Sequence, residues 1–413
     1  MSLLVVLILM LLIDLYVYQG VLFFSEGYPY WVKIVWRGSF WLLSAASMLV
    51  VSSLLSGRSD KWPSGLVVNL RTLIIILYLS KTVFVLFLLI DDLRRAVTWI
   101  SGKLNPPVTT INGRSQFLVN LALLAGALPF SSLLYGMLRN KYRYKTHHIK
   151  INAGGIKSPI PIRIVQISDI HSGSFTSKES VMEAIHIING LSPDFVCFTG
   201  DLVNNQASEM DEYKEVFRQI KARYGVFSVL GNHDYGDYVR WPDAQSKREN
   251  LQKLISIHKE MGWDILLNEH RLIEWQGQQI AFIGVENYSA LPQFPKYGDL
   301  QKAYFGCESA DLKILLSHDP THWDSQVINQ YKDIDLTLSG HTHGFQFGVE
   351  IPGIFRWSPS QYVYKQWAGL YSNKRQHLYV NRGLGFLGYP GRVGILPEIT
   401  LIEIQGLEQS IEY

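Results

Sequence analysis

Ser339-Gly340-His341-Thr342-His343 sets two imidazoles two residues apart, and four other short packets carry further residues that bind divalent ions. These are Asp169-Ile170-His171, Gly200-Asp201, Gly231-Asn232-His233-Asp234 and His318. A lone His-x-His says little, because most histidines in a globular domain pack or face solvent. Five packets in one chain say more. Imidazole and carboxylate donors together suit divalent ions of borderline softness, with manganese, iron, zinc and magnesium all compatible. A pair of such ions needs a carboxylate between them, and Asp201 is the natural bridge. The remaining donors divide so that Asp169, His171 and His343 hold one ion while Asn232, His318 and His341 hold the other. Two carboxylates and a bridging hydroxide nearly offset two dications, and the amide of Asn232 adds an oxygen without charge. Such a pair lowers the pKa of the water between them, toward roughly 7 in favourable zinc sites, and so prepares a hydroxide for in-line attack on phosphorus. His233, one residue beyond a donor, is then free to bind a phosphoryl oxygen or to protonate the leaving alkoxide as a general acid.

Each packet follows a short apolar run. Ile164–Ile167 leads to Asp169 and His171, Phe195–Phe198 to Asp201, Val226–Leu230 to Asn232, Lys313–Leu316 to His318, and Leu336–Leu338 to His341 and His343. Such runs read as buried strands, and ligands of α/β sheets gather beyond the strands' carboxyl ends. Residues 177–190, 208–223, 246–261 and 321–331 read as intervening helices, and 270–275 with 279–285 as a hairpin about a glycine turn. Gly200, Gly231 and Gly340 precede donors where the backbone must pass close to a neighbour. Asp234 either caps the turn that follows or orients His233, and Asp319-Pro320 reads as a turn presenting His318. His147, His148, His186, His258, His270 and His322 read as packed or surface residues.

In order and spacing the packets resemble the calcineurin-like metallophosphoesterase pattern D-x-H, G-D, G-N-H-[DE], H and G-H-x-H, from about residue 160 to 405. The resemblance implies a four-layer αββα domain of two mixed sheets between helices and a dinuclear site of manganese, iron, zinc or similar metals. It also implies hydrolysis of phosphomonoesters, phosphodiesters or pyrophosphates, with the residue roles argued above. Many relatives close with G-H-T-H-G-G-Q. Here Gly344-Phe345-Gln346 instead puts an aromatic ring at the rim beside His343, where it bears on the substrate.

The first third of the chain is of another kind. The whole is 47% hydrophobic with a formal charge of +3, which points to neither a nucleic-acid binder nor a disordered protein. Residues 3–24, 35–56, 66–90 and 116–138 are each apolar and long enough to cross a bilayer, which takes about 20 residues. The first is not an ordinary signal peptide: Met1-Ser2-Leu3-Leu4 has no positive charge, and further spans follow. The expected organisation is a four-helix transmembrane domain over 1–140, a basic juxtamembrane linker over 141–160 and the catalytic domain over 161–413. Trp31, Trp36 and Trp62 sit near span ends, as interfacial aromatics do. Asp14, Arg71 and Lys81 lie within spans, and similar depth suggests that Asp14 pairs with Lys81. Four spans put the amino terminus and catalytic domain on one side, and the dense cations from Arg139 to Lys150 favour a cytoplasmic one. Cys197 and Cys307 are read as unbridged.

Aromatic residues crowd two segments, Tyr288–Phe305 and Phe345–Tyr371. They either form an apolar cap that receives a lipid chain, with Arg356, Arg382 or Arg392 meeting phosphate, or they cover the core or the membrane domain. The expected function is hydrolysis of a phosphodiester, pyrophosphate or phosphomonoester of a lipid or membrane-proximal substrate. Two alternatives are the same hydrolase acting on a soluble nucleotide or small phosphodiester, and a non-catalytic membrane scaffold. The expected partners are the bilayer and that substrate, with no nucleic acid; the oligomeric state is not legible.

Overall fold

Four helices early in the chain are apolar around their whole circumference, the pattern of a segment surrounded by lipid. They are α1 (Leu3–Ser25), α2 (Tyr30–Leu55), α3 (Ser64–Leu104) and α4 (Gln116–Tyr135). The computed structural model describes residues 3–104, 114–351 and 353–406. Met1 and Ser2, on which the signal-peptide argument partly rested, lie outside the described residues, as does the end of the expected catalytic domain from 407 to 413. The chain forms two units, Met1–Gly136 and Met137–Tyr413.

In the first unit α3 runs well past the expected end near residue 90. Nothing in Asp91–Arg95 breaks a helix, and its charges pair on the helix surface, Arg94 with Asp91 and Arg95 with Asp92, each at 3.0 Å. Lys81 Nζ of α3 lies 2.5 Å from Asp14 Oδ1 of α1 and donates to Ser44 Oγ of α2 at 3.1 Å, while Tyr78 OH donates to Asp14 Oδ2 at 2.8 Å. The pair foreseen from depth thus joins three helices. Arg71, by contrast, is exposed.

Among the described residues, fourteen strands make up the β structure of the second unit. They are β1 (Lys145–Asn152), β2 (Ile162–Ile167), β3 (Phe195–Phe198), β4 (Gly225–Ser228), β5 (Asp264–Ile265), β6 (Glu269–Trp275), β7 (Gln278–Gly284), β8 (Leu312–Leu316), β9 (Leu336–Ser339), β10 (Val349–Ile351), β11 (Phe355–Trp357), β12 (Gly369–Asn373), β13 (Gln376–Val380) and β14 (Glu398–Gln405). One six-stranded sheet has the order β1-β14-β2-β3-β4-β5 and the other β12-β13-β9-β8-β7-β6, while β10 and β11 form a separate hairpin. Both sheets are mixed: β2, β3, β4 and β5 run parallel in one, and β7, β8, β9 and β13 in the other. Their facing sides bury Phe195, Phe227, Phe282, Ile314 and Tyr379, with the rings of Phe227 and Phe282 stacked at 4.4 Å. The outer face of the first sheet packs on α5 (Lys178–Gly190) and the helix Ala244–Glu260; that of the second packs on Leu300–Tyr304 and the turn at Trp323–Val327. This is the four-layer αββα arrangement that the resemblance implied.

Three expectations need correction. The span 141–160 is not simply a linker, because Lys145–Asn152 adds parallel to β14 as an edge strand. Residues 208–223 do not form one α-helix. Met210, Tyr213, Val216 and Ile220 are buried nearly every third residue, and the chain follows them in tight turns with bonds such as Tyr213 N to Met210 O and Val216 N to Tyr213 O. Residues 321–331 likewise contract to a wide turn at Trp323–Val327 and a short turn at Ile328–Gln330.

Candidate metal centre

The packets meet because β2, β3, β4, β8 and β9 end side by side in two facing sheets, each handing its donor to a turn at the carboxyl edge. The turns are held in costly conformations. Asp169, His171, Asp201, His341 and His343 have φ of 50°, 47°, 61°, 69° and 50°, the left-handed region that costs an ordinary residue about 1–3 kcal/mol. Neighbouring turns also touch through glycine: a Cβ on Gly231 would stand 2.2 Å from Asp201 Oδ1, and one on Gly340 2.2 Å from Asp169 Oδ2.

Two groups of donors result. In Asp169, His171 and His343, and again in Asp201, His318 and His341, one donor atom from each residue lies within 4.8 Å of the others. Asp201 Oδ2 stands between the groups, 3.5 Å from His171 Nε2 and 3.1 Å from His318 Nε2. Asn232 Oδ1 is 3.2 Å from His318 Nε2, and its amide nitrogen donates to Tyr238 OH at 2.8 Å, which keeps the oxygen turned inward. His171 Nε2 and His343 Nε2 face each other at 3.0 Å, and His343 Nε2 is 3.2 Å from Asp169 Oδ1. His318 Nδ1 reaches Thr199 O at 2.7 Å, so its proton resides there and Nε2 points at Asp201.

Charge at this point is unbalanced. Asp169 and Asp201 are buried, and among the described ion pairs neither meets a lysine or arginine. Burial opposes their ionisation, yet His343 beside Asp169, and His318 beside Asp201, hold both carboxyls below the usual range. Burial also works against His318, but the adjacent Asp201 carboxylate raises it to about 10. Burial takes His171 the other way, to about 3. A proton on His318 therefore occupies a place where a cation fits, and the facing imidazole nitrogens and carboxylate oxygens are a donor set for divalent ions. The residues present fit the metals that the fold class uses.

His233 stands beside both groups. Its backbone N–H donates to Asp201 Oδ1 at 2.8 Å, and Nδ1 meets Asn204 O at 2.7 Å, which fixes the ring and leaves Nε2 as its other polar atom. Asp234 does not orient that ring. Its buried carboxylate accepts from the backbone N–H groups of Gly231, Asp201, Leu202 and Val203, and so ties two donor turns together. Burial and the Asp201 carboxylate push Asp234 up to about 7, against the amides that favour its ionised form.

Sequence reasoning missed two residues here. Asp319 not only shapes the turn after His318; its Oδ2 lies 3.5 Å from His341 Nε2, which also meets Tyr364 OH at 2.9 Å. The only signal in the sequence was adjacency to a donor. Arg382 and Arg392, expected at phosphate, are engaged within the domain, and Arg392 also meets His343 Nδ1 at 3.3 Å. Arg382 is buried between Glu398, at 2.6 Å, and Glu350, and Arg392 is buried against the carbonyls of Arg382, Gly383 and Gly385. Arg356 donates to Ala368 O at 2.6 Å and lies over Trp367. The cavity above the donors, about 440 Å³, is lined by Phe294, Phe345, Tyr364, Leu387 and Tyr389 beside Asn232, His233 and Gln346, and among the described residues by no lysine or arginine. Tyr364 and Trp367 are core residues, while Phe345 stands half in solvent at the rim.

Residues 162–345 match the family model for calcineurin-like phosphoesterases, and residues 1–141 match a model for the transmembrane domain of such phosphoesterases. The uncharacterized metallophosphoesterase YkuE of Bacillus subtilis (strain 168) is 30% identical over 302 residues, 71% of this chain and 97% of that protein. The chain belongs to the calcineurin-like metallophosphoesterase family. A transmembrane protein with metallophosphoesterase domain from Danio rerio is 31% identical over 252 residues, 59% of this chain and 53% of its own, so the chain spans about half the length of that relative. A solved structure, the phosphopantetheinyl hydrolase of Mycobacterium tuberculosis, aligns with TM-score 0.31 and 14% identity over 52% of this chain and 87% of that one. This metallophosphoesterase is also an integral membrane protein, with four helices long and apolar enough to span. Cys197 and Cys307 are both buried and unbridged.

Proposed function

We propose that this metallophosphoesterase hydrolyses a phosphoester carried by an amphiphile in the membrane to which it is anchored. Asp169, His171 and His343 would hold one divalent ion, and Asn232, His318 and His341 a second, with Asp201 between them. When bound, such ions act as Lewis acids and supply a water of lowered pKa at neutral pH. The protein's own part begins with positioning. Thr199 O and Tyr238 OH set the His318 ring and the Asn232 amide, and Tyr364 OH with Asp319 sets His341. His233, anchored by Asn204 O, would protonate the leaving oxygen or donate to a phosphoryl oxygen from Nε2.

The observation that carries the substrate class is the cavity wall. A di- or triphosphate chain is usually met by lysine or arginine, and among the described residues none lines the cavity above the donors; Arg392, which meets His343 Nδ1 at 3.3 Å, is buried outside that lining. That wall suits one phosphoryl group on an apolar carrier. A cytoplasmic site remains the favoured orientation, on the dense cations between Arg139 and Lys150. The chain purified in detergent and supplied in turn with manganese, iron, zinc and magnesium would be offered phospholipids, lipid pyrophosphates and nucleotides. Turnover confined to nucleotides would exclude the lipid reading. Asp201→Asn is expected to lose metal and activity together, whereas His233→Ala keeps most metal and loses about 10²-fold or more in turnover. Equal metal loss in both variants would remove His233 from its role.

A further inference from the structure

The β10–β11 hairpin turns an apolar face away from its own unit. Val349, Ile351 and Phe355 are exposed, and Ile354 in the turn between the strands is 81% exposed. The register pairs Val349 with Trp357 and Ile351 with Phe355 on this face, and Glu350 with Arg356 on the other. The second face is tied down: Glu350 accepts from Arg382, and Arg356 donates to Ala368 O at 2.6 Å. Those bonds fix which side looks outward. Phe347 and Tyr362 extend the exposed face, and Phe345 continues it to the mouth of the cavity. Hairpin edges that meet only water normally carry charge or other blunting features, and a contiguous apolar patch marks a contact with membrane or protein.

Where the chain enters this unit tells which contact it is. Among the described residues Gln116–Asn140 is the last stretch apolar and long enough to cross a membrane, and its final residues, from Met137, already belong to the second unit. They pack on the loop Tyr389–Val393. The backbone N–H of Met137 donates to the Tyr389 hydroxyl, Asn140 Nδ2 donates to Arg392 O at 3.0 Å, and a Cβ on Gly391 would stand 2.7 Å from Met137 N. The same loop pairs with the root of the hairpin, Val393 N donating to Gln346 O at 2.8 Å and Gly348 N to Val393 O at 2.9 Å. The end of the last span, the cavity-lining Tyr389 and the hairpin are therefore neighbours within one unit.

We propose that the β10–β11 hairpin inserts into the bilayer, with Ile354 and its apolar neighbours entering the leaflet from which the last span emerges. Trp357 and Tyr362 then lie at the level of the headgroups, where amphipathic rings are favoured. The bilayer is the occupant because Met137–Asn140, which end a stretch long and apolar enough to cross it, pack on the loop that pairs with the root of this hairpin. Insertion holds the cavity mouth at the lipid surface, so that a headgroup phosphate reaches the donors while its chains stay in the membrane. Insertion of the hairpin does not depend on turnover, so it can be tested whether or not the chain hydrolyses a lipid.

The test uses the full chain in nanodiscs of phosphatidylcholine and phosphatidylglycerol. Ile354→Cys is labelled with an environment-sensitive fluorophore, which goes to one site because Cys197 and Cys307 are buried. Phe305→Cys, at a side chain 79% exposed just before β8 at the amino-terminal ends of the strands, is the control. The label at 354 is expected to shift to the blue and to lose most of its emission when lipids carrying a quencher on the acyl chain are included. Iodide in the water is expected to quench the control and spare 354. Iodide quenching equal at the two sites would overturn the proposal. So would a label at 354 that neither quencher reaches, since a protein cover, from a second copy or another partner, would then occupy the face.

Discussion

Removing the Asp234 carboxylate tests whether the donor turns are held as described. Three of its four hydrogen bonds are short, from Gly231 N and Leu202 N at 2.8 Å and from Asp201 N at 2.9 Å, and the fourth, from Val203 N, is 3.3 Å. Asp234→Ala leaves these buried N–H groups without a partner, at about 1–3 kcal/mol each, and partial relaxation of the turn reduces the sum to about 4 kcal/mol. At roughly 2–4 °C per kcal/mol for a domain of this size, the unfolding midpoint is expected to fall by about 8–16 °C. Asp201 and Asn232 ride on the freed turns, so metal affinity is expected to fall about 10–100-fold, the usual scale for residues that orient metal ligands. Asp234→Asn keeps one acceptor oxygen and is expected to fall between parent and Ala variant. The assay is thermal unfolding followed by tryptophan fluorescence, in chelator and with metal added, together with metal content after dialysis. An Ala variant that melts within about 2 °C of the parent and retains its metal would refute the reasoning.

Other parts of the molecule make separate predictions. Lys81→Met strands Asp14 in the membrane unit with Tyr78 as its remaining partner and is expected to cost about 3–5 kcal/mol, while Asp14→Leu combined with Lys81→Met recovers most of it; monodispersity on heating in detergent reads both. Arg382→Met uncovers Glu398 and is expected to lower the midpoint by a similar energy, about 3–5 kcal/mol, with KM unchanged. A raised KM at unchanged stability would return Arg382 to the substrate. His258 is buried against Phe198 and Trp263 with Ser228 Oγ at 3.0 Å, and burial lowers it to about 3. Its folded pKa lies below the unfolded value, so its contribution is complete above about pH 6.5 and is lost as pH falls toward 3, amounting to at most about 5 kcal/mol. His258→Gln is expected to flatten the fall in midpoint between neutral and acid pH, and an unchanged slope would exclude this source.

The membrane helices and the donor packets were legible because both are local signals. An unbroken apolar stretch needs no partner to declare itself, and an apolar run ending in Asp-x-His or Gly-His-x-His states strand, turn and donor within a few residues. Even the pairing of Asp14 with Lys81 followed from depth, since a charge within lipid has few places to find its opposite. The strand Lys145–Asn152 was hidden, because its pairing partner, Glu398–Gln405, lies some 250 residues away. Arg382 and Arg392 were misread for the same reason. A guanidinium shows its charge in sequence but not whether Glu398, Glu350 or a ring of carbonyls already satisfies it, and that depends on loops brought together by two facing sheets. The left-handed turns at the donors, the pinning by Asp234 and the contact of Asp319 with His341 also exist only once the strand ends are adjacent. Sequence by itself determined the family's donor packets and the apolar spans that place the chain in a membrane. Tertiary structure decided which charges remain free to do that chemistry, because pairing and burial are properties of neighbours in space.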